Sequence, residues 1–269
     1  RRPRPISLEL ASMPNLPRMA SIAPRTARWP ATMLMSVLLL LAEGLAVADA
    51  AAGVGLYDQL ATPAHPFFLK LRTHRGPLPL GGVRGSFWIN DRKIGTVLTG
   101  ADGYGFLKYE APAIGTFSLS ARTAAGDAEA RLRIIAPATP VVLFEAEALL
   151  WQMQAMDRGS SATDVMTRIA ADFVLVYLCA PMSRPAMAPL IGSRGLPDAL
   201  ILAGKDRNQF KRLAKRGVSL FAVVGSGRFV ASAQGFGQHY FSFEKSDQAR
   251  HVKRWEDLIR QLQPKAKAP

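Results

Sequence analysis

The chain has 269 residues, with 34 Lys+Arg against 20 Asp+Glu, and carries a formal net charge of +14. Its 49% hydrophobic and 20% charged residues sit near the globular average, which excludes wholesale disorder. The single cysteine excludes a disulfide framework and any multi-cysteine zinc or iron–sulfur centre. The four scattered histidines, His65, His74, His239 and His251, argue against a histidine-based metal cluster.

Residues 1–50 differ in character from the rest. The first thirty are rich in Arg and Pro without hydrophobic period, so a disordered extension is expected. The apolar run Met33–Ala42 follows, then GLAVADA with small residues at A-x-A spacing. A basic flank, a short apolar run and such a site make a secretory signal peptide, with cleavage after Ala48 or Ala50. The run is shorter than the ~20 residues a membrane span needs. No cysteine directly follows it, which argues against a lipoprotein anchor. The segment holds six Arg against Glu9, Glu43 and Asp49, so its removal takes +14 to +11. A periplasmic or secreted, basic protein is expected, with no membrane span after cleavage and no nucleic-acid partner. Anionic lipid or an envelope polymer is the partner class its charge suits.

Residues 55–136 alternate in polarity between Gly, Pro, Asn and Asp. Strands are predicted at Phe67–Thr73, Val83–Asn90, Ile94–Gly100, Gly105–Ala111, Gly115–Arg122 and Ala128–Ile135. Asn90-Asp91 and Ala101-Asp102-Gly103 supply tight turns. Six or seven short strands at even spacing predict an antiparallel β-sandwich. The runs Gly95–Phe106 and Pro112–Ala121 resemble bacterial immunoglobulin-like modules, which often show T-D-x-D-G-x followed by P-x-x-G-x-y-x-i-x-A. Here Gly100 replaces the first Asp of that turn, leaving Asp102-Gly103. A lone Asp falls far short of the six to eight oxygens Ca²⁺ takes.

Beyond the proline-bearing Ala136–Pro140 the period changes, and an α/β domain over 139–262 is expected. Continuous apolar strands are predicted at Val141–Phe144, Val174–Cys179, Ala199–Ala203, Leu220–Gly225 and His239–Glu244. Helical spacing marks Ala162–Ala171, Arg184–Gly195, Asp206–Gly217 and Ser246–Leu262. Trp255 and Leu258 are expected to pack on the sheet, and 263–269 to form a disordered tail. The fold class is α/β plus all-β: a sandwich followed by a three-layer domain with a parallel sheet.

The residues after the strands carry the chemistry. VVLFEAEALL, LVYLCAPM with SRGLPDALIL, and LFAVVGSGRFV follow one another in an order that resembles the haloacid dehalogenase (HAD) superfamily. The similarity is to its exported phosphatidate-phosphatase-like branch, which carries an amino-terminal immunoglobulin-like module. That family's strands end in h-h-h-D-x-D-x-T-L, V-Y-L-T-G-R-P and h-V-G-D-S-x-x-D. The resemblance implies a nucleophile position at Glu145 and an acid/base position at Glu147. It places the phosphate-binding Ser/Thr at Cys179, the Gly-Arg pair at Ala180 and Pro181, and the Mg²⁺ carboxylates at Ser226 and Val230. Lys205, Lys211 and Lys215 are candidates for the phosphate-binding lysine, and Lys211 is the one expected there.

Glu for Asp moves a carboxylate by ~1 Å, a displacement that can cost about 10²-fold. With Ser226 and Val230 in place of acids, Mg²⁺ loses the oxygen ligands its octahedral geometry demands. The expectation is a pseudoenzyme that binds or scaffolds, with no cofactor. The alternative is a residual phosphatase on an ester such as phosphatidate, which would use Mg²⁺. For single residues the plain readings are a solvated turn for Glu145 and Glu147, a core hydrophobe for Cys179, and a solvated face for Lys205–Arg216. Ser226 has no histidine partner in a recognisable arrangement, so a serine hydrolase has little support.

Overall fold

The computed structural model describes residues 52–63, 65–156, 162–180 and 184–262. The predicted signal segment, the carboxyl-terminal tail and Pro181 lie outside them.

Alternation builds the amino-terminal half. In β3 (Phe67–Arg75), Phe67, Leu69, Leu71 and Thr73 are buried while Phe68, Lys70 and Arg72 face out. One sheet runs β1 (Ala52–Leu56), β3, β4 (Leu78–Pro79), with β7 (Tyr104–Tyr109) also paired to β3. The other runs β2 (Gln59–Ala61), β9 (Gly126–Ile134), β8 (Gly115–Thr123), β5 (Arg84–Ile89), β6 (Arg92–Leu98). Phe87, Leu119, Leu132 and Ile134 join the β3 residues between the sheets. Asn90 and Asp91 both have positive φ, 45° and 64°, and close the predicted β5–β6 turn. Strands β1, β2 and β4 were not legible as strands: each has five or fewer residues, too few to establish a period.

The second half is a six-stranded, all-parallel sheet with strands β10 (Val141–Glu145), β11 (Val174–Cys179), β12 (Leu200–Ala203), β13 (Leu220–Gly225), β14 (Gly237–Ser242) and β15 (Arg250–His251). Their order is β12-β11-β10-β13-β14-β15. Central β10 and β11 are buried at every position, because helices cover both faces. One face packs on α1 (Ala146–Met156), α2 (Ala162–Asp172), α3 (Arg184–Ser193) and α6 (Trp255–Leu262). The other packs on α4 (Arg207–Lys215) and α5 (Gly227–Ala233). The chain leaves β10 toward β11 on one side and returns to β13 on the other. The carboxyl ends of β10 and β13 therefore flank the topological switch point, where open α/β sheets leave a crevice.

Trp255 and Leu258 lie in the core as expected. Ser246–Leu262 is not one helix. Arg250–His251 pairs with Phe241–Ser242 as an edge strand, Val252 donates to the Ser242 carbonyl at 2.8 Å, and the helix starts at Trp255. Sheet pairing and burial of Val252 override a favourable helical pattern there.

Sandwich and parallel sheet belong to one compact unit. Strand β2 stitches them together: it pairs with β9, while Leu60 sits in the α4–α5 core. The buried Asp58 accepts the Arg131 amide and the Ile201 amide, both at 2.9 Å, so one carboxylate joins β9 to β12. Arg131 also holds Asp198 with Nη1 at 2.6 and 2.7 Å. Thr62 donates its amide and hydroxyl to the Arg216 carbonyl, at 3.0 and 2.9 Å. Among the described residues, no helix is long and apolar enough to cross a membrane.

Candidate functional site

Four adjacent strand ends deliver polar groups to the switch-point crevice. Glu145 is the last residue of β10 and is 6% exposed. Glu147 lies in the first turn of α1, Lys205 two residues past β12, and Ser226 directly after β13. Glu145 Oε1 accepts from Lys205 Nζ at 2.8 Å. Its Oε2 accepts from the Ser226 amide at 2.8 Å and the Ser226 hydroxyl at 2.6 Å. Glu147 Oε1 accepts the Ala180 amide at 2.7 Å, and its Oε2 lies 3.4 Å from Lys205 Nζ. One ammonium thus bridges two carboxylates, and backbone amides at two neighbouring strand tips finish the cage.

The local sequence explains the fit. Gly225 has no Cβ because one there would lie 2.6 Å from Phe229 Cδ1 and 2.9 Å from Glu145 Oε2. Ser226 is the N-cap of α5, accepting the Phe229 amide at 3.4 Å while donating to Glu145. The extra methylene of Glu, compared with Asp, carries the carboxylate to both Ser226 and Lys205. Burial pulls the Lys205 ammonium pKa down. The Glu145 hydrogen bond and the charges of Glu145 and Glu147 outweigh it, and the net direction is upward.

The predicted residues divide clearly. Glu145, Glu147 and Ser226 come together; the reading of the two glutamates as solvated turn residues is corrected by the burial of Glu145 and the bonding of both. Lys211 does not join them, since it is exposed on α4, and Lys205 occupies the place by the carboxylates. The buried Cys179 donates weakly to the Leu202 carbonyl at 3.8 Å and belongs to the α1–α3 core, so its thiol is not presented at the crevice. Val230 is fully buried on the inner face of α5. The solvated-face reading of Lys205–Arg216 holds for Lys211 and Lys215 but fails at Lys205 and at Arg216, which bonds to β2.

Sequence reasoning missed Glu244. It lines a crevice of about 290 Å³ with Glu145, Trp151 and Ser226, and accepts the Gly227 amide at 3.1 Å. A carboxylate just past the fifth parallel strand was the available signal. The family frame implies Mg²⁺, but the donor set does not fit it. Lys205 already bridges the two glutamates, Ser226 is spent on Glu145 and its cap, and Val230 offers no oxygen. Among the described residues, no group of three His, Cys, Asp or Glu side chains is placed to hold a metal ion.

No protein-family model and no curated protein matches the chain. Among solved structures, a carbohydrate acetylesterase from Xanthomonas citri is similar at 12% identity, over 76% of this chain and 71% of that one, with TM-score 0.34. A CARDB domain from Pyrococcus furiosus aligns at 11% identity over 32% of this chain and 86% of its own, with TM-score 0.24. The M1 domain from titin aligns at 10% over 33% and 96%, with TM-score 0.25. Likeness at this level assigns no activity.

Proposed function

We propose that this chain is an exported pseudoenzyme of the cell envelope, with a HAD-like α/β domain beside an immunoglobulin-like sandwich, and that it binds or scaffolds without catalysing. The observation that carries the reading is the state of Glu145. Three donors from Lys205 and Ser226 occupy its oxygens, out of roughly four lone-pair positions a carboxylate offers. A nucleophile needs a lone pair in line with phosphorus, and these donors leave Glu145 about one. A general acid/base at Glu147 would have to give up the Ala180 amide and the neighbouring ammonium. Lys205, in the place open to the family's phosphate-binding lysine, is held by the protein's own carboxylates. The basic chain and the signal-like segment support location outside the cytoplasm and an anionic partner.

A p-nitrophenyl phosphate assay with and without Mg²⁺, with Mg²⁺ calorimetry on the same protein, tests this. The expected result is no Mg²⁺ heat and a rate indistinguishable from that of Glu145→Gln. Mg²⁺-dependent turnover lost in Glu145→Gln would instead establish the residual-phosphatase reading, which the convergence of Glu145, Glu147 and Lys205 favours.

A further inference from the structure

A second cavity, of about 500 Å³, lies between the sandwich and α4. This is within the range of small-molecule pockets. Its sandwich wall is the outer face of β3 and β7, where Lys70 stands opposite Phe106 and Arg72 opposite Tyr104. Phe68 and Phe106 are 55% and 52% exposed, so they offer uncovered ring surface beside the charges. The facing wall is the turn-spaced side of α4, Gln209, Arg212 and Lys215, followed by Arg216.

The charges here are unbalanced. Lys70, Arg212, Lys215 and Arg216 line the cavity, with only Asp58 and Asp206 of opposite sign. Both acids are engaged elsewhere: Asp206 caps α4 through the Gln209 amide, and Asp58 joins β9 to β12. Among the described residues, none of the four cations has a carboxylate at ion-pair distance. Arg216 bonds only neutral oxygens, Gln59 Oε1 at 2.7 Å and the Leu60 and Phe68 carbonyls at 3.4 and 3.3 Å, and lies over the Phe67 ring. Lys70 Nζ sits 3.8 Å from the Tyr104 ring centroid.

We propose that this cleft is a binding site for an organic anion with an aromatic or similarly flat apolar body. Its acidic group would be held by Lys70 and Arg212, and its body would lie on Phe106 and Phe68. Those rings give the apolar body somewhere to stack, and a bare inorganic anion would leave them unused. The ligand would supply the counter-charge that the fold lacks. Burial and then the Arg212 charge push both the Lys70 and the Arg216 pKa down, Arg216 to about 10. The site is separate from the Glu145 cage, and nothing in it depends on the pseudoenzyme reading.

The test is fluorescence titration of the full chain with 8-anilinonaphthalene-1-sulfonate, an aryl sulfonate. N-phenyl-1-naphthylamine serves as its uncharged analogue and inorganic phosphate as an anion without a body. Saturable one-site binding of the sulfonate is expected, weakened about tenfold in Lys70→Gln and in Arg212→Gln, the loss of one charge-assisted hydrogen bond each. Phe106→Ser should weaken both dyes, whereas the uncharged dye should ignore Lys70→Gln. Lys211→Gln and Trp151→Ser, remote from the cavity, should bind the sulfonate as the parent does. The proposal is overturned if sulfonate affinity survives both charge substitutions, if Trp151→Ser abolishes it, or if phosphate competes as well as an aryl sulfonate. Lys70 lies on the outer face of a strand, so Lys70→Gln remains readable should Arg212→Gln fold poorly.

Discussion

Lys205→Met removes the ammonium and leaves Glu145 in its buried place. At 2.8 Å and an effective dielectric near 20, the gross attraction between Lys205 and Glu145 is about 6 kcal/mol. Desolvation offsets much of that, and breaking a fully buried pair typically costs 3–5 kcal/mol. The Lys205 side chain is 30% exposed and Glu145 keeps both Ser226 bonds. Solvent screening therefore lowers the expected loss to about 2–3 kcal/mol at neutral pH. The double variant Glu145→Gln/Lys205→Met should recover at least half of this, because the more deeply buried carboxylate, Glu145, is then neutral and only the partly exposed Glu147 keeps its charge. The pH sign follows from the raised ammonium pKa. Its contribution is fully present below the unfolded value of about 10.4 and is lost as pH climbs through the higher folded value. The stability gap between parent and Lys205→Met should then narrow only above about pH 10. Urea unfolding of both proteins from pH 6 to 11 measures it. A Lys205→Met protein within about 0.5 kcal/mol of the parent at pH 7 would show that the ammonium does not hold the cage.

Ser226→Ala removes a charge-assisted bond to Glu145 and the α5 cap together, and should lower stability by about 2–3 kcal/mol in the same unfolding assay. Gly225→Ala places a methyl against Phe229 and Glu145 and should cost about 1–3 kcal/mol by overpacking; a neutral result would mean the cage yields easily. Asp58→Ala strands the Arg131 and Ile201 amides between sandwich and sheet, with an expected loss of about 3 kcal/mol or more. Lys70→Met works in the opposite direction. A depressed ammonium pKa means that the charged form opposes folding below its folded pKa, so this change should be neutral or stabilising at pH 7 in a thermal melt.

Five of the six parallel strands were legible to within two residues, because burial on both faces leaves unbroken apolar runs such as Val174–Cys179 and Leu220–Gly225, whereas the edge strand Arg250–His251 was hidden in a helical pattern. Helix α1 was not, since Ala146–Met156 follows β10 with no loop and its first letters read as a strand-end motif. Helix α5 has only seven residues behind a Gly-Ser-Gly turn, too short for a period to stand out. At the site, strand-end position was enough to bring Glu145, Glu147 and Ser226 together. Choosing among lysines was harder, because Lys205, Lys211 and Lys215 lie within eleven residues. What separates them is geometry: Lys205 precedes the Asp206 cap and so remains at the sheet rim, whereas Lys211 and Lys215 are carried out along α4. The cleft beside α4 was invisible, because it needs β3 and α4, far apart in sequence, to face each other.

Charge balance explains how such a cage can persist on the proposed reading. In the family pattern that the resemblance implies, several acids at the rim repel one another until a dication binds. Here Ser226 and Val230 stand where acids would, so two negative charges are gone, and the Lys205 ammonium sits beside the two glutamates that remain. A residual charge of −1 faces amide donors from Ala180 and Ser226, and backbone N–H groups stabilise an anion without a counter-ion. The cluster then ties the tips of β12, β11, β10 and β13 together at the point where the sheet has a crevice rather than a crossing chain. Restoring acids without removing the lysine bond would not restore metal binding. Ser226→Asp alone should bring a third negative charge against Glu145 and unfold at lower urea than the parent, even with Mg²⁺ present. A Ser226→Asp protein stabilised by millimolar Mg²⁺ would show instead that the rim still accepts a dication, and the charge argument would fail.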